Sequence, residues 1–208
     1  MSDLTMKAKK RTTSKKHESI LKAAMQAFSE EGYDKVSMDR IADHAGASKR
    51  TVYNHFPSKD DLFQAVITQF AKEMDSLKQI RYDAARSLEE QLSDFADSQL
   101  ALVNSPTWLG FLKVLLAEFI RDPEMARKTI AGHVAPKDTL TEWMCAAVDG
   151  GRLSTDDPQM ASKIFDSMLN GAFIWPAVSQ GFLDPAQLLR LKKELIDTFL
   201  CRFRKEPD

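Results

Sequence analysis

Apolar positions along the first third of the chain recur with helical spacing and are cut into short runs. Ile20, Leu21, Ala24, Ala27 and Phe28 fall on one face of a 3.6-residue repeat that opens near Lys16, and Gly32 stands where a glycine closes a helix. Ser37 then offers an N-cap, Asp39 an acid in the first turn, and Ile41, Ala42 and Ala45 a short apolar face. Gly46 ends that helix after two turns. Ser48 is a second N-cap, Val52, Tyr53 and Phe56 supply an inner face, and Pro57 stops the segment. Ser58 and Asp61 have capping-box spacing and open a long helix with Leu62, Phe63, Val66, Ile67 and Phe70 inward. Two short helices across a glycine turn predict a helix-turn-helix. Neither buries enough surface without the preceding helix over it, so a three-helix module is expected within residues 16–60.

The rest of the chain repeats one device. Asp122-Pro123, Asp157-Pro158 and Asp184-Pro185 each place a capping acid before a proline suited to the first helical position. The periodicity predicts helices near 59–80, 84–103, 106–121, 123–149, 158–179 and 185–204, with breaks or kinks at Pro136 and Pro176. No segment alternates with period two over any length. The expected fold is all-α, a small N-terminal module followed by a larger helical domain over 61–208. Residues 1–15 carry Lys7, Lys9, Lys10, Arg11 and Lys15 with few apolar positions, and read as a disordered basic arm.

Composition adds two points. The 208 residues are 43% hydrophobic and 28% charged, ordinary for a packed protein, with a net charge of only −1. The distribution is uneven: residues 1–62 hold 12 Lys and Arg against 9 Asp and Glu, and the remainder 17 against 21. A basic front on an acidic body is the asymmetry expected if only the front meets nucleic acid. Cys145 and Cys201 lack metal or redox spacing and suit reduced thiols in the cytoplasm. Lys113 and Glu118 interrupt the longest apolar run, around Trp108–Ile120, so no membrane span is expected. His17, His44, His55 and His133 are scattered, and no nucleophile-elbow or phosphate-loop spacing occurs. No enzyme, metal site or cofactor is expected.

The stretch GASKRTVYNHFPSKDDLF, Gly46–Phe63, carries the candidate chemistry. Val52, Tyr53 and Phe56 anchor the short helix, and Lys49, Arg50, Thr51, Asn54 and His55 crowd its other edge. Arginine and lysine match guanine acceptors, asparagine matches adenine, and the threonine methyl meets that of thymine. Helix starts at Ser37 and Ser48 can turn amides toward phosphates, and Lys59 lies just past the proline. A solvated polar face is the plain alternative. The segment DRIADHAGASKRTVYNHFPSKDDLFQAV, Asp39–Val66, resembles the N-terminal signature of the tetracycline-repressor (TetR) family of bacterial transcription regulators. The likeness spans residues 17–67, with F-x-x-x-G-Y at Phe28–Tyr33, and Ala47 stands where valine is commoner. The resemblance implies that Ser37, Thr51, Tyr53, His55 and Lys59 touch phosphates and that Lys49, Arg50 and Asn54 lie against bases of double-stranded DNA. It also implies a homodimer with a ligand-sensing C-terminal domain.

Residues 68–208 carry no diagnostic motif. Trp108, Leu109, Phe111, Leu112, Leu115, Leu116, Phe119 and Ile120 surround one helix, which is expected buried at the centre of the second domain. A small-molecule effector needs an apolar cavity with a few polar groups. Candidate lining residues are Trp108, Phe111, Leu115, Phe119, Trp143, Met144, Met168 and Phe173, with Glu118 and Asn170 polar; all are equally readable as core. Arg121, three residues on, can pair Glu118 without any ligand. Self-association faces are read at Ile164 and Phe165, and at Leu188, Leu191, Leu195, Phe199 and Arg202. Two such helices per chain would form a four-helix interface burying upward of about 1,200 Å². A constitutive regulator, or a helical bundle acting through protein partners, is the rival reading.

Overall fold

The computed structural model describes residues 2–76, 80–133, 139–181 and 184–205. Among them the chain is helical: α1 (Ser2–Glu31), α2 (Met38–His44), α3 (Lys49–His55), α4 (Lys59–Ser76), α5 (Leu88–Val103), α6 (Pro106–Arg121), α7 (Pro123–His133), α8 (Thr139–Asp149), α9 (Pro158–Leu169), α10 (Trp175–Gln180) and α11 (Pro185–Phe203). The expected all-α fold stands, with no strand among the described residues. One isolated bridge pairs Leu153 with Arg204. All three Asp-Pro devices cap as expected: Asp122 accepts from the amides of Glu124 and Met125, Asp157 from Met160, and Asp184 from Gln187. No single helix among the described residues is long and apolar enough to cross a membrane.

One boundary differs from the sequence reading, and two expected interruptions take a specific form. The basic segment read as a disordered arm belongs to α1, which starts at Ser2; nothing between Ser2 and Glu31 is glycine or proline, so the helix has no stop. The helix expected at 123–149 is two, α7 and α8, and Pro136 lies outside the described residues. The interruption expected at Pro176 takes the form of a π turn, Asn170–Ile174, closed by the Trp175 amide on the Asn170 carbonyl. Proline lacks the amide for a normal bond and would press on the Ala172 carbonyl, and the wider turn relieves both.

The chain divides into two compact units, Met1–Glu73 with Thr107–His133, and Met74–Pro106 with Val134–Asp208. In the first, Ile20, Ala24, Phe28, Ile41, Val52, Leu62 and Val66 are buried together with α6 residues. Phe111 lies 5.7 Å from Phe63 and 5.2 Å from Phe70, and Trp108 stacks on Phe70 at 5.0 Å. Gly110 makes this approach possible, since a Cβ there would come within 2.9 Å of the Ser29 Cβ. The helix expected at the centre of the second domain therefore packs with the N-terminal helices. It is also not covered all round, as Ile120 is 82% exposed. In the second unit, one core joins Leu92 and Phe95 of α5, Trp143 and Met144 of α8, Phe165 and Leu169 of α9, and Leu195 and Phe199 of α11.

Candidate nucleic-acid interface

The helix-turn-helix is built from caps and one left-handed glycine. The Ser37 hydroxyl accepts the Arg40 amide at 3.2 Å and starts α2. Gly46, at φ +57°, turns the chain after α2, and the Ala47 amide returns to the Ala42 carbonyl at 3.0 Å. Ser48 starts α3, accepting the Thr51 amide at 3.2 Å and meeting the Thr51 hydroxyl at 2.8 Å. Val52 is fully buried and Phe56 is 4% exposed, so these two side chains pin α3. Lys49, Arg50, Tyr53 and Asn54 are exposed, whereas Thr51 and His55 are half-buried. The unpinned edge of α3 is thus the polar edge that the sequence selects.

Two of these side chains already have neighbours. Lys49 pairs with Asp39 at 2.9 Å, and its ammonium lies 5.9 Å from the Tyr53 ring centroid. Asp39 holds the Lys49 ammonium above its ordinary pKa by hydrogen bond first and charge second. Any anion reaching Lys49 must compete with that carboxylate. The His55 ring lies 5.7 Å from the His17 ring, which packs on Phe56 at 4.9 Å. His17 is held below the usual imidazole range by burial first, then by the His55 and Lys72 charges, against a weaker opposite pull from Glu18. Sequence reading missed His17 because one histidine on an amphipathic helix carries no signal of what it meets.

Lys59 departs from its expected role. Its ammonium donates to the carbonyls of Tyr33 at 3.0 Å, Asp34 at 3.3 Å and Val36 at 3.2 Å, and sits 4.4 Å from the Tyr33 ring centroid. A lysine has three N–H donors, and all three are engaged. Instead of standing free for a phosphate, the side chain clasps the turn between α1 and α2. Around it, the Tyr33 hydroxyl donates to Asp60 and Arg121 bridges Asp34 at 3.0 Å and the buried Glu118 at 3.5 Å. The Tyr33 phenol is pushed far above its ordinary pKa, by burial first and by the Asp60 hydrogen bond next, so it stays a donor. Lys59→Ala is expected to destabilise the protein by about 1–3 kcal/mol through the unpaired carbonyls. Denaturant titration checks this: weakened DNA binding at unchanged stability would restore the phosphate role.

The ten residues expected around an effector fall five to each unit. Trp108, Phe111, Leu115, Glu118 and Phe119 belong to the first, and Trp143, Met144, Met168, Asn170 and Phe173 to the second. Trp108, Phe111, Leu115, Trp143, Met144 and Phe173 are buried core side chains. Glu118 has the Arg121 partner that the sequence offered, and Asn170 donates to Asp166 at 2.7 Å. Of the expected association residues, Phe165, Leu188, Leu195 and Phe199 are buried in their own unit. Ile164, Leu191 and Arg202 face outward, with Met160, Leu189 and Trp175 also exposed. A groove of about 330 Å³ between α9 and α11 is lined by Met160, Ile164, Met168, Phe199 and Arg202 among others.

A short helix pinned by two apolar side chains, entered over a glycine turn and presenting lysine, arginine and asparagine, is the architecture of a helix-turn-helix DNA-binding regulator. The chain belongs to the tetR family of bacterial regulatory proteins. Residues 20–66 match that family's N-terminal domain, and residues 90–205 match the C-terminal domain of AefR-like transcriptional repressors. A TetR family regulator from Pseudomonas syringae pv. tomato is 31% identical, with 91% of this chain and 97% of that one covered and a TM-score of 0.73. The flavonoid-responsive regulator FrrA is 28% identical over 93% of this chain and all of its own, with a TM-score of 0.67. The transcriptional regulator UidR of Escherichia coli is 28% identical over 161 residues, 73% of this chain and 76% of its own.

Proposed function

We propose that two copies of this chain bind a palindromic operator through α3 and that a small molecule releases them, so that the protein is a ligand-released repressor. The carrying observation is the exposed edge of α3, with Arg50 and Asn54 outward and Lys49 beside them on Asp39, on a helix that Val52 and Phe56 hold in place. Arg50 and Lys49 suit guanine acceptors and Asn54 suits adenine. Ser37, Ser48, Thr51, Tyr53 and His55 flank that edge and suit phosphates. Pairing of α9 and α11 with their copies would cover Met160, Ile164 and Leu191, whose exposure is otherwise unfavourable. The similarity to a flavonoid-responsive regulator and to AefR-like repressors supports a ligand input and a repressing sign. The free thiols Cys145 and Cys201 fit a reducing cytoplasm.

Selection from a random duplex pool tests the reading. The expected product is an inverted repeat with half-sites about 34–36 Å apart. Affinity should fall linearly in log salt, with a slope near −0.9 per phosphate neutralised. Indifference to every duplex at low salt, or a monomer on the DNA, would sink it. Asn54→Ala is expected to weaken specific binding by about 1–3 kcal/mol and to relax one operator position. Equal weakening on all sequences would place Asn54 on the backbone instead.

A further inference from the structure

In the second unit, the segment before α5 and the first turns of α8 border an open cleft of about 480 Å³, lined by Arg81, Tyr82, Thr139, Glu142 and Trp143 together with Ile80 and Ala146. That volume falls within the roughly 300–1,000 Å³ of small-molecule sites. Its aromatic wall is fixed before anything binds. The Trp143 indole donates to Gln91 Oε1 at 3.0 Å, and the same oxygen accepts the Asp83 amide at 2.8 Å. Gln91 Nε2 donates to the carbonyls of Asp83, Arg86 and Ser87, so one buried amide sets both the indole and the loop after Tyr82. Tyr82 meets Trp143 edge to face at 5.9 Å. Its hydroxyl lies close to Gly150, where a Cβ would come within 2.9 Å of it, so the glycine makes room for the ring.

The charges of the cleft are unspent on each other. Arg81 and Glu142 are both exposed and line it, yet among the described residues neither has an ion-pair partner. Nearby charges behave otherwise, with Arg86 on Asp94 at 2.7 Å and Arg204 on Glu89. An unpaired guanidinium and an unpaired carboxylate lining one cleft with aromatic side chains complement a molecule with an anionic group, a flat ring and a hydrogen-bond donor. Guanidinium fits a carboxylate by two parallel hydrogen bonds, and Glu142 accepts only from a donor.

We propose that this cleft binds a small planar aromatic acid carrying a phenol or amine, with its carboxylate on Arg81, its ring against Tyr82, which Trp143 backs, and its donor on Glu142. The assignment rests on the ligand-responsive reading above and names its chemistry. Full-length protein is titrated with 4-aminobenzoate, 4-hydroxybenzoate, benzoate and terephthalate by calorimetry, with affinity for the selected operator measured in the same samples. Wild type is expected to bind the first two saturably, benzoate more weakly and terephthalate least, because its second carboxylate meets Glu142. Arg81→Gln is expected to lose about tenfold or more in affinity for every probe, as one charged hydrogen-bonding partner is removed. Glu142→Gln is expected to bind terephthalate better, and Arg86→Gln, which removes a cation outside the cleft, to change nothing. Arg81→Gln binding as tightly as wild type, or no saturable binding of any probe at millimolar concentration, overturns the assignment. Operator affinity separates the two readings. Arg81-dependent binding that leaves operator affinity unchanged keeps the site and sinks release by ligand. Operator release by a probe whose binding ignores Arg81 keeps release and sinks the site.

Discussion

Phe56→Ala is expected to destabilise the N-terminal unit by about 3–5 kcal/mol and to abolish specific DNA binding with it. The side chain is 4% exposed at the C-cap of α3, where its amide still bonds the Val52 carbonyl at 2.8 Å. A seven-residue helix is too short to persist without tertiary contacts, so its orientation comes from Val52 and Phe56. Truncation leaves a cavity beside His17, whose ring lies 4.9 Å away and which burial already holds toward its neutral form. Water entering that cavity would relieve the burial of His17, and its pKa should move back up toward the ordinary imidazole value. Hydrogen exchange over α1–α3, urea titration and operator binding measure the three effects. Loss of DNA binding with α1–α3 protection intact would mean that Phe56 acts on DNA directly; a stability change under about 1 kcal/mol would mean that the aromatic anchor is dispensable.

The module was legible because each of its parts is a local rule. Ser37 and Ser48 cap and Gly46 adopts the left-handed turn within a few residues of what they act on, and helical spacing alone marks Val52 and Phe56 as the inward face. Lys59 was misread because its partners are carbonyls more than twenty residues away, and a backbone oxygen leaves no mark in a side-chain pattern. A lysine after a proline looks free in sequence whether or not three carbonyls surround it. The Arg121 pairing with Glu118 was available at helical spacing, but its second partner, Asp34, was not.

The apolar helices of the second half were legible as helices and not as neighbours. Periodicity says that Trp108 and Trp143 are buried and says nothing about by what. In the fold, Trp108 stacks on Phe70 of the first unit, and Trp143 joins the core of the second. Pooling both into one lining set followed from composition alone. Likewise Phe165 shares a stripe with Ile164 in sequence, but a rotation of one position along the helix separates core from surface. Arg81 and Glu142 escaped notice for the opposite reason: each is an ordinary surface charge until the loop at Ile80–Tyr82 is laid beside α8.

Gln91→Ala should show how much one buried amide holds in that second unit, with an expected loss of about 3–5 kcal/mol, since several buried polar groups are left without partners at about 1–3 kcal/mol each. Gln91 has no exposed surface; its Oε1 accepts two hydrogen bonds and its two N–H groups are shared among three carbonyls. The loop carbonyls can turn to water after truncation, and Arg152 already donates to that of Arg86 at 2.6 Å. The Trp143 indole cannot, being 1% exposed in the core, so most of the loss is expected from its stranded N–H and from the cavity. Gln91→Glu separates these contributions. It keeps both acceptor bonds and the volume, but sets a carboxylate against three carbonyls, so it should also destabilise while leaving the indole paired. Tryptophan emission read alongside denaturant titration distinguishes the variants, with the alanine form expected to alter the Trp143 environment and the glutamate form to retain it. If Gln91→Ala costs less than about 1 kcal/mol, the loop before α5 is held by Arg152 and the Ser87–Glu90 capping box instead, and the wall formed by Tyr82 and Trp143 is not fixed by the amide.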